Sequence, residues 1–267
     1  MRTEPDPAIV ERLRAAGCVF AEDEARLLMA EAATPADLDA LVARRVEGEP
    51  IEQVLGWAEF CGLRVAVDPG VFVPRRRTEL LVREAAALAR TVAHRARPVV
   101  VDLCCGSGAV GAAVVAEVGH VELLAVDIDP AAVRCARRNL GVASEVYEGD
   151  LYEALPVPLR GRVDVLVVNA PYVPTEAISL MPPEARLHEA RVALDGGADG
   201  LDVQRRVVAE STQCLAPGGH LLIETSRRQA SQTVETFARH GLVPRVVGDD
   251  ELEATVVIGQ ASVCGSM

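Results

Sequence analysis

Residues Val99–Val115 read VVVDLCCGSGAVGAAVV. The β-branched run Val99 to Leu103 has the content of a buried strand, Gly106, Ser107 and Gly108 interrupt it, and a helical pattern starts at Ala109. A strand that ends in a glycine turn and passes into a helix is the start of a βα unit. A second apolar run, Val163 to Val168, stops at VVNAPYVPT, residues Val167–Thr175. There an asparagine and a proline stand where a buried strand should end.

Working outward from these two strands, the chain alternates. A helix through Leu80, Leu81 and Ala85 precedes the first strand. After it come strand Val121 to Val126, helix Pro130 to Leu140, a short strand near Val146, and strand Val163 to Val168. Helix Val203 to Leu215, strand His220 to Glu224, helix Gln229 to Arg239 and strands Val243 to Val247 and Ala254 to Ile258 follow. Strands separated by helices predict an α/β fold, a doubly wound parallel sheet covered on both faces. The last strand follows its predecessor too closely for a helical crossover, so it should run antiparallel in a hairpin at the sheet edge.

The N-terminal part differs. Ile9, Leu13 and Ala16, then Ala25, Leu28 and Met29, then Leu38, Leu41 and Val42 repeat at helical spacing, with Thr34-Pro35 as a helix start. Leu63, Val65 and Val67 alternate before Asp68-Pro69-Gly70, and Val71, Phe72 and Val73 follow, which predicts a β-hairpin turning at Asp68-Pro69-Gly70. The expected organisation is a helical module over 1–50, a hairpin linker over 51–74 and a main domain over 75–267.

Composition narrows the function. The 267 residues carry 39 acids and 27 basic residues, all arginine, for a net charge of −12. That field opposes a phosphate backbone, so nucleic acid is a disfavoured partner. No apolar run approaches the ~20 residues of a membrane helix, and the first residues lack a secretory signal, which predicts a soluble cytoplasmic protein. Seven cysteines without a Cys-x-x-Cys pair, and scattered His94, His120, His188, His220 and His240, suggest neither a disulfide framework nor a metal site. Cys104 and Cys105 sit in the glycine turn, but their side chains diverge and no histidine is near in sequence, so a nucleophilic role is disfavoured.

In a doubly wound sheet the ligand lies at the carboxyl ends of the strands. Gly106, Ser107 and Gly108 let the backbone come close to it. In AVDIDP, Asp127 is the first acid after the strand and is placed for a ribose diol, whereas Asp129 before Pro130 reads as a helix cap. In EGDLYEALP, Asp150 suits an adenine amino group and Leu151 its face. Three strand ends thus fit one nucleoside. Counted from Cys104, the turn has cysteine for the first glycine of a dinucleotide motif and lacks the third, which favours a nucleoside smaller than a nicotinamide dinucleotide.

VDLCCGSGAVG, VDIDP, GDLYEALP, NAPY and LAPGGHLLIE resemble the ordered motifs of class I S-adenosylmethionine-dependent methyltransferases. The segments RRVEGEPIEQVLGWAEFCGLRVAVDPGVFVPRRRTELLVREA (44–85) and LDGGADGLDVQRRVVAESTQCLAPGGHLLIE (194–224) further resemble the bacterial release factor glutamine N5-methyltransferases. The similarity spans nearly the whole chain. It implies S-adenosyl-L-methionine as cofactor, bound by Cys104, Cys105, Gly106, Ser107, Gly108, Asp127, Asp150, Leu151 and Asn169. It also implies a substrate loop Asn169, Ala170, Pro171 and Tyr172, and a glutamine in a protein such as a peptide chain release factor as methyl acceptor.

An amide nitrogen is a poor nucleophile, because its lone pair is delocalised. Two oxygen acceptors, the Asn169 side chain and the carbonyl of Ala170, would hold its N–H groups and orient it. Pro171 keeps Ala170 out of helical geometry, and Tyr172 walls the pocket. The family has Asn-Pro-Pro-Tyr, so Ala170 predicts a looser loop with chemistry retained. Where the family reads Pro-Arg-Pro-acid-Thr-Glu, this chain has Pro74-Arg75-Arg76-Arg77-Thr78-Glu79, and Glu189 is followed by Ala190 rather than proline. These changes suggest an altered acceptor, either a more acidic protein or a small molecule such as a free amino acid, guanidine or amide. Adenine in nucleic acid and a non-catalytic cofactor-binding module are the remaining alternatives.

Overall fold

The computed structural model describes residues 4–93 and 96–262; His94 and Cys264 lie outside the described residues. The chain opens with helices α1 (Pro7–Ala15), α2 (Ala21–Glu31) and α3 (Pro35–Val46), followed by the short α4 (Ile51–Leu55). Asp6 caps α1 by accepting from the Ala8 N–H at 2.8 Å, and Thr34 caps α3 by accepting from the Asp37 N–H at 3.1 Å. Leu13, Leu28 and Val42 are fully buried between these helices, each burial contributing about 1.5–3 kcal/mol.

Strands β1 (Trp57–Phe60) and β2 (Leu63–Ala66) then form an antiparallel hairpin, pairing Trp57 with Ala66 and Phe60 with Leu63. Its turn is Cys61-Gly62, not Asp68-Pro69-Gly70 as the alternation predicts. Cys61 and Gly62 have φ of 49° and 73°, the two left-handed residues that match the twist of a two-residue hairpin. Val65 therefore pairs backward with Ala58 instead of forward. Val71 and Val73 are buried outside any strand, and Gly70 bridges Glu189.

The larger sheet comprises β3 (Val99–Leu103), β4 (Glu122–Asp127), β5 (Glu145–Glu148), β6 (Val163–Val168), β7 (Leu215–Glu224), β8 (Leu242–Asp249) and β9 (Ala254–Ala261). Their spatial order is β5-β4-β3-β6-β7-β9-β8. The first five are parallel, and β9 lies antiparallel between β7 and the outermost β8. Strand β7 starts earlier than its apolar run suggests, because the Gly218-Gly219 segment passes through a register shift opposite Val163 and Val165.

The helices are α5 (Glu79–Ala93), α6 (Ala109–Val118), α7 (Pro130–Leu140), α8 (Pro183–His188), α9 (Asp202–Cys214) and α10 (Ala230–Arg239). Leu80, Leu81 and Ala85 of α5 and Ala113 and Val114 of α6 pack on Val100, Val165, Val167 and Leu222. Val207 and Val208 of α9 and Phe237 of α10 pack on Val101, Leu166, Val168 and Ile223. Alternate residues of each strand thus enter opposite cores, which is why these strands read as unbroken apolar runs. Asp129 caps α7 as its sequence position predicts, accepting from the Ala131 N–H at 2.8 Å.

Strand order reverses between β3 and β6, which sit side by side with Leu103 level with Val168. On the other side of β3, Leu103 is level with Val126. The turn at Cys104, the acid at Asp127 and the loop at Asn169 therefore leave the sheet together at its switch point, where such folds bind ligands.

Candidate active site

The turn after β3 is built on left-handed backbone at Cys104, Gly106 and Gly108, with φ of 57°, 55° and 77°. It is stitched to β4: the Cys105 N–H donates to the Val126 carbonyl at 3.0 Å, and the Gly106 N–H to Asp127 Oδ2 at 2.8 Å. Asp127 Oδ1 accepts from the Asp129 N–H at 2.9 Å. Each Asp127 oxygen keeps a lone pair for a ligand. Burial raises the Asp127 carboxyl, and the N–H groups of Asp129 and Gly106 pull it back.

Gly108 does not border the cavity; a Cβ there would lie 3.1 Å from the Ala136 Cβ, so this glycine serves helix packing. The count from Cys104 passed over Gly111. Gly106-x-Gly108-x-x-Gly111 is a complete glycine spacing, and a Cβ at Gly111 would meet Leu123 at 2.9 Å and Asp102 Oδ2 at 3.2 Å. Its N–H donates to Asp102 Oδ2 at 2.9 Å. Asp102 is 1% exposed, and burial pushes its acid up to about 7, with the Gly111 N–H opposing and Asp127 adding to the rise.

Burial, Asp127 and Asp102 push the Cys104 thiol up, and burial with the same acids does so at Cys105. Neither is an accessible thiolate, in line with the sequence reading. Among the described residues no cluster of three His, Cys, Asp or Glu could hold a metal. His188 does not line the cavity; its carbonyl accepts from the Gln53 side chain at 3.1 Å.

Leu151 is buried with φ of 50°, beside Asp150 at the end of β5. Asp150 is paired with Arg206 of α9 at 2.8 Å, a partner invisible in the local sequence. Asn139 of α7 is a second unforeseen support. Its Nδ2 donates to the Ser107 carbonyl at 2.8 Å and the Ala66 carbonyl at 2.9 Å, while its Oδ1 accepts from the Ala66 N–H at 2.9 Å. It clips the hairpin to the glycine turn.

The opposite wall begins where β6 ends. Asn169, Ala170, Pro171 and Tyr172 all border the same cavity as Cys104, Cys105, Gly106, Ser107, Asp127, Asp150 and Leu151. Asn169 Nδ2 faces Thr78 Oγ1 at 3.4 Å, and among the described residues its Oδ1 has no hydrogen-bond partner. The carbonyl of Ala170 likewise accepts no backbone hydrogen bond there. Ala170 is 1% exposed, and the chain beyond it is tied rather than loose. Tyr172 O accepts from Gln229 Nε2 at 3.0 Å, the Val173 N–H donates to Leu194 O at 3.1 Å, and Val173 O accepts from Gly196 at 2.9 Å. Gly200 is required here, since a Cβ would fall 2.3 Å from the Tyr172 carbonyl.

Behind this wall lies Glu224, 1% exposed at the end of β7. Arg77 Nε donates to Tyr172 Oη at 2.9 Å and to Glu224 Oε1 at 3.3 Å, and Tyr172 Oη donates to Glu224 Oε1 at 3.4 Å. Glu224 Oε2 is buried without a partner. Burial raises the Glu224 carboxyl, while Thr78, Arg77 and Tyr172 lower it. Burial and Glu224 push the Tyr172 phenol up to about 12, against Arg77. The helical module reaches this loop through buried Arg45, which pairs with Glu24 and Glu184, each at 2.7 Å.

A cofactor with a nucleoside and a cationic sulfur fits these walls. Gly106 borders the cavity, and a Cβ on it would project into open space that a ligand would otherwise fill. Buried Asp102 and half-buried Asp127, Asp129 and Asp150 line that side. The family model described as "Methyltransferase small domain" matches residues 62–199. The chain is 38% identical over 222 residues to the release factor glutamine methyltransferase of Geobacter sulfurreducens, covering 82% of this chain and 75% of that protein. It is 35% identical over 238 residues to the 4-amino-L-phenylalanine/4-methylamino-L-phenylalanine methyltransferase of Streptomyces pristinaespiralis, covering 83% and 81%. In fold it is similar to a methyltransferase from Pyrococcus furiosus, with a TM-score of 0.57 at 16% identity, covering 82% of this chain and 97% of that one. With its glycine turn, strand-end acids and Asn-Ala-Pro-Tyr loop on one cavity, the chain belongs to the release factor glutamine N5-methyltransferase family of class I S-adenosylmethionine-dependent N-methyltransferases.

Proposed function

We propose that this protein methylates the side-chain amide nitrogen of a glutamine in a cytoplasmic protein, with a peptide chain release factor as the leading acceptor. The observation that carries the reading is the pair of open acceptors at the end of β6, Asn169 Oδ1 and the Ala170 carbonyl. S-adenosylmethionine supplies an electrophilic methyl on sulfur. Cys104 to Ser107, Asp127, Asp150 and Leu151 form its side of the cavity.

The two oxygens take one N–H each of a planar NH₂ group, which fixes the nitrogen in position and favours the positive charge that develops on it. No strong base is needed, because the alkylated nitrogen loses its proton readily. Thr78 holds the Asn169 amide in the orientation that leaves Oδ1 free. Pro171 restricts Ala170 to extended backbone and so fixes its carbonyl. Tyr172, held through its hydroxyl by Arg77, closes the wall. The helices of 1–50 and the linker of 51–74 dock the partner protein, with the Arg45–Glu184 pair joining them to the loop over the site.

A second reading is an aromatic amine on a free amino acid, since an aniline NH₂ also sits on an sp² carbon and presents two N–H groups. The relative named for 4-amino-L-phenylalanine and the arginine-rich wall favour it. The test is incubation with methyl-labelled S-adenosylmethionine and, separately, release factor, 4-amino-L-phenylalanine and an adenine-containing oligonucleotide. Label on a release-factor glutamine supports the leading reading, and label on the amino acid alone replaces it. Asn169→Ala should lower either by about 10²–10³-fold.

A further inference from the structure

Arg77 is held by one edge only. Its Nε is occupied by Tyr172 Oη at 2.9 Å and Glu224 Oε1 at 3.3 Å. Among the described residues neither terminal nitrogen has a hydrogen-bond partner, and the side chain borders the cavity. Glu224 does not reach the cavity; it braces the guanidinium from behind. The neighbouring arginines are placed differently. Arg75 gives a terminal nitrogen to buried Glu189 and lies 5.0 Å over Phe72, and Arg76 is exposed.

The tips of Arg77 are thus a braced, forked donor on the acceptor side of the site. Thr78, the next residue, contacts Asn169. On the other wall Arg206 is neutralised by Asp150, while Asp127 and Asp129 carry no ion pair among the described residues, so an anion entering the cavity is drawn to Arg77. A planar fork with two free NH₂ groups suits a carboxylate in bidentate geometry.

We propose that Arg77 binds a carboxylate of the methyl acceptor and thereby selects acceptors carrying an acid close to the NH₂ group that is methylated. Resting on the N-methylation reading above, this narrows the acceptor to a glutamine flanked by an acidic residue or an amino acid with a free α-carboxylate. Both present the same chemistry to Arg77.

The test uses full-length protein with S-adenosylhomocysteine bound and two probe pairs, titrated by calorimetry. One pair is an end-blocked glutamine peptide with an aspartate or an asparagine beside the glutamine. The other is 4-amino-L-phenylalanine and its carboxamide. The carboxylate member of at least one pair should bind about tenfold tighter or more, the size of a charge-assisted hydrogen bond. Which pair responds identifies the source. In Arg77→Gln the preference should fall to within about twofold, and S-adenosylmethionine affinity should hold.

Arg77→Gln leaves Glu224 unpaired, so the double variant Arg77→Gln/Glu224→Gln repeats the measurement without a stranded buried carboxylate. Equal binding within both pairs, or a preference that survives in both variants, overturns the proposal. So does a matching loss of S-adenosylmethionine affinity, which would put Arg77 on the cofactor's own carboxylate. Methyl transfer is scored separately. Arg77-dependent binding of the aspartate peptide without methylation would keep the carboxylate site and remove the glutamine reading, and methylation without carboxylate preference would do the reverse.

Discussion

Asp102→Asn tests the charge state of the cavity floor. Asp102 is 1% exposed, accepts from the Gly111 N–H at 2.9 Å, and has its acid pushed up to about 7 by burial. In the unfolded chain an aspartate titrates near ~3.9. Between about pH 4 and pH 7 the folded protein therefore binds more protons at this group than the unfolded chain does, and stability falls as pH rises. The contribution of Asp102 is fully present below about pH 4 and is lost as pH climbs through 7. About three pH units at about 1.36 kcal/mol each give about 4 kcal/mol by pH 8. Asparagine still accepts from Gly111 but cannot ionise. Urea denaturation of cofactor-free wild type and variant should show the stability difference widening in favour of the variant by about 2.5 kcal/mol from pH 5 to pH 8. Carboxylates that do not interact with Asp102 cancel in that difference. Parallel curves across the range would show that Asp102 ionises as an ordinary aspartate and would refute the reasoning.

Three further outcomes are expected. Asn169→Ala should lower kcat by about 10²–10³-fold with little change in the denaturation midpoint, measured by label transfer and urea melts, because one of two acceptors for the developing charge is gone. Asn139→Ala should cost about 1–3 kcal/mol and weaken S-adenosylmethionine binding in calorimetry, since it removes three hydrogen bonds joining the glycine turn to β2. A normal cofactor affinity would show that the clip is dispensable. Arg45→Ala should destabilise by about 3–5 kcal/mol, because Glu24, 8% exposed, would be left buried beside an empty site. The double variant Arg45→Ala/Glu24→Ala should recover part of that loss, and a melt that shows no recovery would dismiss the ion pair as its cause.

Where local chemistry alone fixes an element, the residues announce it. Strands β3 and β6 begin and end at the expected residues because their apolar runs are bounded by a glycine turn and by Asn169. Helix α7 does so because Asp129-Pro130 starts it and Gly141 ends it. The hairpin turn escaped because Cys61 adopts φ of 49°, a conformation cysteine seldom takes, while Asp68-Pro69-Gly70 carries stronger turn residues. Gly111 is legible as the third glycine of Gly106-x-Gly108-x-x-Gly111, a spacing that the two cysteines before it obscure. The support behind the site was not legible. Arg77 and Glu224 are 147 positions apart, and Ser107 and Asn139 are 32 apart, so only the folded sheet brings them together.

The division of the cavity explains how one scaffold can serve different acceptors. On the proposed reading the cofactor wall comes from the ends of β3, β4 and β5, and the two acceptor oxygens come from the end of β6, all fixed by the parallel sheet. The facing wall comes from residues 70–78 and 181–194, segments outside the sheet. That second wall meets the first through hydrogen bonds such as Asn169 Nδ2 to Thr78 and the Val173 N–H to the Leu194 carbonyl. A glutamine methyltransferase and a 4-amino-L-phenylalanine methyltransferase resemble this chain at 38% and 35% identity. Glutamine and 4-amino-L-phenylalanine share an NH₂ on an sp² carbon and differ in everything around it. On the proposed reading the sheet sets the reaction, and the wall carrying Arg75 and Arg77 sets the acceptor. With the carboxylate role proposed for Arg77, an arginine fork braced by a buried glutamate would make that wall selective through charge rather than shape alone.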